Sequence, residues 1–196
     1  MSLLKNLSKI IEINGRPSSE EFQKRLTPEN TLDELKDFNS NPRILAGAEK
    51  TAGEYGSEWF LNSFQYASYE VAEKDIVSMA HYINISDVFN LVAPQFYGNT
   101  SWNHVVRNLF NRCPPEDSLA LLNTLESNGH MQGMMRERHL GCEAVYVYFE
   151  NATAGLSVED SIRALKHSPS FAIVKQDQNF RTAVLEDWPE YKSLLD

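Results

Sequence analysis

Apolar positions recur at helical spacing along nearly the whole chain. Leu3, Leu4, Leu7, Ile10 and Ile11 outline a first helix over 3–13, stopped near Asn14-Gly15. Short helices are expected near 18–26 and 31–38. Ser18 to Glu21 and Thr31 to Glu34 each read as a capping box, the hydroxyl accepting from an early backbone N–H while the Glu reaches back. Thr27-Pro28 suits an N-cap followed by proline at the first helical position. From about 43 to 83 the pattern is helical again, with a break near Gly53 to Gly56. Its strongest part is 57–83, where the stripe Phe60, Phe64, Ala67, Val71 is continued by Ile76, Met79, Ala80 and Ile83. As one helix this stretch is about 40 Å long, a central strut.

Ser86 or Asp87 opens a short helix closed by Pro94. Gly98 to Ser101 reads as loop and cap. Trp102, Val105, Val106, Leu109 and Phe110 define the next helix, stopped by Cys113-Pro114-Pro115. Leu119, Leu121, Leu122 and Leu125 define another, closed by Asn128-Gly129. Segment 130–154 is read as helix, although Val145 to Phe149 has the β-branched and aromatic composition of a strand. Ser157 to Asp160 starts a helix over 157–167, and a last helix over 171–195 is kinked at Pro189. No 20–50-residue period shows as a repeated signature, and no Pro/Gly/Ser-rich linker divides the chain. The expected fold is all-α: an irregular multi-helix bundle or helical stack, one domain over 1–196.

Charge sharpens this picture. The formal net charge is −9, which disfavours nucleic acid and anionic membrane as partners. Between 51 and 100 Lys74 stands alone against Glu54, Glu58, Glu70, Glu73, Asp75 and Asp87, and ten of the 21 aromatic residues lie in the same block. The block reads either as a core helix with a solvated acidic face or as an acidic, aromatic docking surface. No apolar run approaches the length of a membrane span, and the N-terminus lacks the pattern of a signal peptide. Cytoplasm is the default compartment.

Candidate chemistry is sparse. On a helix, His139, Cys142 and Glu143 share one face, and His130, His104 or Cys113 are candidates to complete a metal or thiol site. The bland alternative is a half-buried histidine beside a small core cysteine. Glu70 and Glu73 form an i, i+3 carboxylate pair, a pattern commoner on a solvated face than in acid/base work. Ala46 to Gly53 resembles a phosphate loop only loosely, since Glu49 precedes the lysine where glycine is needed. Met131, Met134 and Met135 fit core gap-filling, or an adaptable contact loop with Arg136 and Arg138.

Two functions are consistent with these residues. One is a cytosolic non-enzymatic interaction domain (an inhibitor, immunity-type protein or adaptor) that binds a basic protein partner through Glu54, Glu58, Trp59, Tyr66, Tyr69 and Glu70, with no cofactor. The other is a small metal-dependent or thiol enzyme built on His139, Cys142, Glu143 and His130.

Overall fold

A computed structural model describes residues 22–51, 59–95, 100–136, 149, 150, 152, 153 and 156–196. Their regular structure is helical, joined by turns, with no strand among the described residues. The α-helices are α1 (Thr31–Asn39), α2 (Pro42–Thr51), α3 (Trp59–Glu70), α4 (Ile76–Ile85), α5 (Asp87–Val92), α6 (Thr100–Arg112), α7 (Ser118–Glu126), α8 (His130–Arg136), α9 (Val158–Lys166), α10 (Pro169–Val174) and α11 (Gln178–Asp187). Short 3₁₀ turns at Glu73–Asp75, Ala93–Gln95 and Pro115–Asp117, and a longer one at Pro189–Leu194, join or end them. One hydrophobic core runs from Phe22 to Leu195.

The stack has an internal order that the sequence hides. Helices α2, α5, α8 and α10 each follow a capping residue: Asn41, Ser86, Asn128 and Ser168. The cap oxygen accepts the backbone N–H of Arg43 at 2.9 Å, Phe89 at 3.3 Å, His130 at 3.1 Å and Phe171 at 3.0 Å, respectively. These caps lie 40 to 45 residues apart. Three positions before them stand Phe38, Ile83, Leu125 and Leu165, all buried. Six before stand Leu35, Ala80 and Leu122, also buried, and Ile162, packed on the core. Three after stand Ile44, Phe89, Met131 and Phe171, buried again. The middle helices begin in register too, with Asn30, Asp75, Asp117 and Ser157 at their N-caps. The turn before the first three closes through the same bond: Asn30 to Thr27, Asp75 to Ala72 and Asp117 to Pro114, backbone N–H to carbonyl.

The described helices therefore follow a three-helix register, complete in α3 to α5 and in α6 to α8. The second triplet is α3, α4, α5 and the third α6, α7, α8, with α3 against α6 and α4 against α7. The pair α1, α2 precedes them and the pair α9, α10 follows, in the register of a triplet's last two helices; α2 packs on α5, and α8 on α10. A helix triplet cannot bury its own apolar face, so each is completed by its neighbours.

Several expectations need correction. The 57–83 strut is two helices: α3 ends at Glu70, Ala72 is extended (φ −61°, ψ 145°), and α4 starts at Ile76. From Val71 to Ile76 the apolar stripe slips by one residue, and that slip is the break. The expected 171–195 helix is likewise divided into α10, α11 and the turn Pro189–Leu194, because Asp177 caps α11 by accepting from Phe180 N–H at 2.9 Å. Thr31 does not form a capping box. It lies inside α1, buried, and donates to the Thr27 carbonyl at 2.6 Å, while Asn30 precedes the helix. Leu119 is exposed rather than packed with Leu121, Leu122 and Leu125. Residues 46–51 of the stretch that loosely resembles a phosphate loop are part of α2, where a Cβ on Gly47 would stand 3.2 Å from the Phe60 ring. The 3–13 helix, the Ser18 to Glu21 box and segment 137–148 lie outside the described residues.

Ser157 caps α9 as expected, accepting from Asp160 N–H at 3.1 Å. Met131, Met134 and Met135 are buried, filling the core under α8. Gly129, at φ 82°, supplies the left-handed turn between α7 and α8.

Candidate functional site

Of the predicted docking residues, Tyr66, Tyr69 and Glu70 lie toward the end of α3, which packs against α6. Helix C-termini leave carbonyls without intrahelical partners. Here Arg112, the last residue of α6, takes them over. Its guanidinium donates to the carbonyls of Ser68 at 3.0 Å, Val71 at 2.7 Å, and Tyr69. One turn earlier, Asn108 Nδ2 donates to Ser68 Oγ at 2.8 Å. Tyr69 is 43% exposed, and its hydroxyl lies 3.2 Å from His104 Nδ1 on α6. The ring is held in place while it faces solvent.

Tyr66 is half-buried against the core, and Glu70 is partly exposed at the helix end. Trp59 begins α3, whereas Glu54 and Glu58 lie outside the described residues. Glu73 and Lys74 follow on the 3₁₀ turn, both exposed. Glu70 and Glu73 are thus on different elements, and the helical carboxylate pair expected of them does not exist. Arg112 also adds a cation beside the acidic block, a neighbour that sequence order does not reveal.

Of the alternative metal set, His139, Cys142 and Glu143 lie outside the described residues. His130 is buried between the second and third triplets. Its Nε2 is 2.7 Å from Asn90 Oδ1, and its ring meets Phe89 edge-on at 5.0 Å. Burial lowers its pKa to about 4, so the ring is neutral at neutral pH. Among the described residues, no group of three His, Cys, Asp or Glu side chains is arranged to hold a metal. His104 and Cys113 are about 13 Å apart along the α6 axis, too far for a thiol–imidazole pair. Burial, with Asp117 and Glu116 nearby, raises the Cys113 pKa to about 11, which keeps it a thiol.

His130 makes folding pH-dependent. Its folded pKa lies below the usual 6.5, so the unfolded chain binds the proton more readily. The contribution of neutral His130 is complete above about pH 6.5 and is lost as pH falls toward 4. Urea titrations between these limits are expected to show falling stability, with a shallower fall in His130→Gln; equal slopes would rule this out.

Sequence reading missed a cleft between α7 and α9, of about 140 Å³ and lined by Leu122, Asn123, Glu126, Ala164, His167 and Pro169 among others. At its floor the Glu126 carboxylate accepts from Ser168 Oγ, from Ser170 Oγ at 2.8 Å and from Gln132 Nε2 at 2.8 Å. No local motif could have announced it, because its walls come from two triplets.

No helix among the described residues is long and apolar enough to cross a membrane. No family model matches the chain, and no curated protein or solved structure matches it.

Proposed function

We propose that this chain is a cytosolic, non-enzymatic interaction protein (an inhibitor, immunity-type protein or adaptor) that binds a basic protein partner. Its docking surface follows α3 from Trp59 to Tyr66, Tyr69 and Glu70, together with Glu54 and Glu58, which precede the helix in sequence. The observation that carries this reading is Tyr69: a large ring left 43% exposed yet tethered through its hydroxyl to His104. A pre-oriented amphipathic ring loses little entropy on binding, which is why tyrosine serves as an interface anchor. Neighbouring carboxylates speed encounter with a basic surface. Stacked helix triplets support the reading, because repeat arrays present extended surfaces to partners. So do the neutral states of Cys113 and His130, which are opposite to those of an activated nucleophile and of a charged acid.

The test begins with capture from the native host at low and high salt, then titration of the captured partner against variants. Tyr69→Ala is expected to weaken binding by about tenfold or more. Glu54→Lys with Glu58→Lys is expected to slow association and flatten its salt dependence. Unchanged affinity and salt response in both, at matched stability, would sink the proposal.

A further inference from the structure

Two of the caps that share a register are asparagines, and they differ in the residue that follows. Asn41 precedes Pro42, and Asn128 precedes Gly129. In both, the side-chain Oδ1 accepts the N–H two residues on: Arg43 at 2.9 Å and His130 at 3.1 Å. An oxygen bonded in this way curls the amide carbon back over the intervening peptide nitrogen. After Asn41 that nitrogen belongs to proline, which has no N–H and cannot attack. After Asn128 it belongs to glycine, which leaves the close approach unobstructed. Ser86 and Ser168, the other caps of the register, carry no side-chain amide.

The turn between α7 and α8 favours attack of the Gly129 nitrogen on Asn128 Cγ in three ways. The Gly129 N–H donates to no group among the described residues, so no hydrogen bond has to break before it loses its proton. The His130 N–H already points at Oδ1, where negative charge develops as the tetrahedral intermediate forms. Asn128 Nδ2, the leaving nitrogen, is buried with no hydrogen-bond partner. A buried, unsatisfied donor is destabilising, and its departure relieves that penalty. Gly129 itself is exposed, at φ 82°, so water reaches the turn.

The geometry points to Asn128 as a site of spontaneous covalent modification. Hydroxide takes the Gly129 proton, and the nitrogen bonds to Cγ. The Cγ–Nδ2 bond breaks, and Nδ2 leaves as ammonia with a proton from water, which returns the hydroxide. The succinimide ring that remains is opened by water. Addition at Cγ gives aspartate. Addition at the main-chain carbonyl gives isoaspartate, whose backbone runs through Cβ and Cγ. Either product places a new negative charge just past the C-terminal end of α7, where the helix dipole repels it. Isoaspartate also lengthens the main chain and displaces the oxygen that capped His130. The same turn carries bonds between the second and third triplets: Asn84 Nδ2 donates to Ser127 Oγ at 2.8 Å, and His130 Nε2 lies 2.7 Å from Asn90 Oδ1. Isoaspartate at 128 therefore loosens α7 and α8 from α4 and α5.

Ageing the full chain in mildly alkaline buffer, followed by peptide mapping, tests this. The Asn128 peptide is expected to show amide-to-acid exchange about tenfold or more faster than those of Asn41, Asn84, Asn90 and Asn108, with isoaspartate found by methyltransferase labelling. In urea only the local sequence acts, and Asn14 and Asn128, each followed by glycine, are expected to react alike. Folding is expected to leave the Asn128 rate equal or higher. An Asn128 that reacts in urea but is spared in the folded chain overturns the proposal, because the turn then protects the amide. Asn128→Ser keeps a capping oxygen, as at Ser86 and Ser168, and is expected to hold its urea midpoint through ageing while the wild type loses part of its own. An aged wild type as stable as fresh protein overturns the loosening. Pro42→Gly gives Asn41 the missing nucleophile and is expected to make it react. An inert Asn41 in that folded variant overturns the role of the shared turn. If Pro42→Gly does not fold, the comparison of folded and urea-unfolded wild type decides.

Discussion

Phe89→Ala is expected to cost about 3–5 kcal/mol, a large share of the 5–15 kcal/mol that holds a typical domain folded. Phe89 is fully buried and sits three residues after the Ser86 cap, where α5 enters the core. Its ring lies 4.8 Å edge-on from Phe64 and 5.0 Å from His130, so it joins side chains of the second and third triplets. Truncation removes the transfer free energy of a benzyl group and leaves a cavity that stacked helices cannot close without separating. It also brings water to the His130 ring. Phe89→Leu keeps most of the volume and is expected to lose about 1.5 kcal/mol or less. Urea unfolding measures both. A loss below about 1 kcal/mol in Phe89→Ala would show that the ring does not carry the junction.

Arg112→Ala is expected to cost about 2–3 kcal/mol, and Arg112→Lys is expected to recover less than half. The guanidinium satisfies the carbonyls of Ser68, Tyr69 and Val71 at the end of α3. Its planar fork reaches them together, whereas an ammonium is a single point of donation. Removing it frees the negative end of the α3 dipole next to Glu70, which is unfavourable in charge as well as in hydrogen bonding. Beyond the global loss, the amides of Val71 to Asp75 are expected to exchange faster, as the α3–α4 joint loosens. Full rescue by lysine would show that charge alone suffices there.

The two aspects of the protein differ in how legible they are. Helix content and most starts are local physics. Ser86, Ser157 and the Trp102 to Phe110 stripe announce themselves within a few residues, because a cap and a 3.6-residue period need no distant partner. The missed breaks are of two kinds. Asp177 is itself a local N-cap signal, overlooked beneath a continuous apolar pattern. The end of α3 is different: the three carbonyls it exposes are satisfied from Arg112, more than forty residues away. The proposed docking residues were legible as composition only. That Tyr69 faces outward and Tyr66 partly inward follows from the packing of α3 on α6.

By itself the sequence determined an all-helical chain, an acidic charge and a run of caps, since each depends on neighbours within one or two turns. Tertiary structure alone decided the triplet register. The repeated positions keep burial but not identity: Phe38, Ile83, Leu125 and Leu165 are interchangeable to a core that asks only for apolar volume. The caps drift between 40 and 45 residues apart, which removes a fixed period. Structure also decided which polar groups meet. Asn84 pairs with the end of α7 and Glu126 with the start of α10 because a donor seeks carbonyls and a carboxylate seeks N–H and O–H groups. Where those lie is set by stacking, not by chain order.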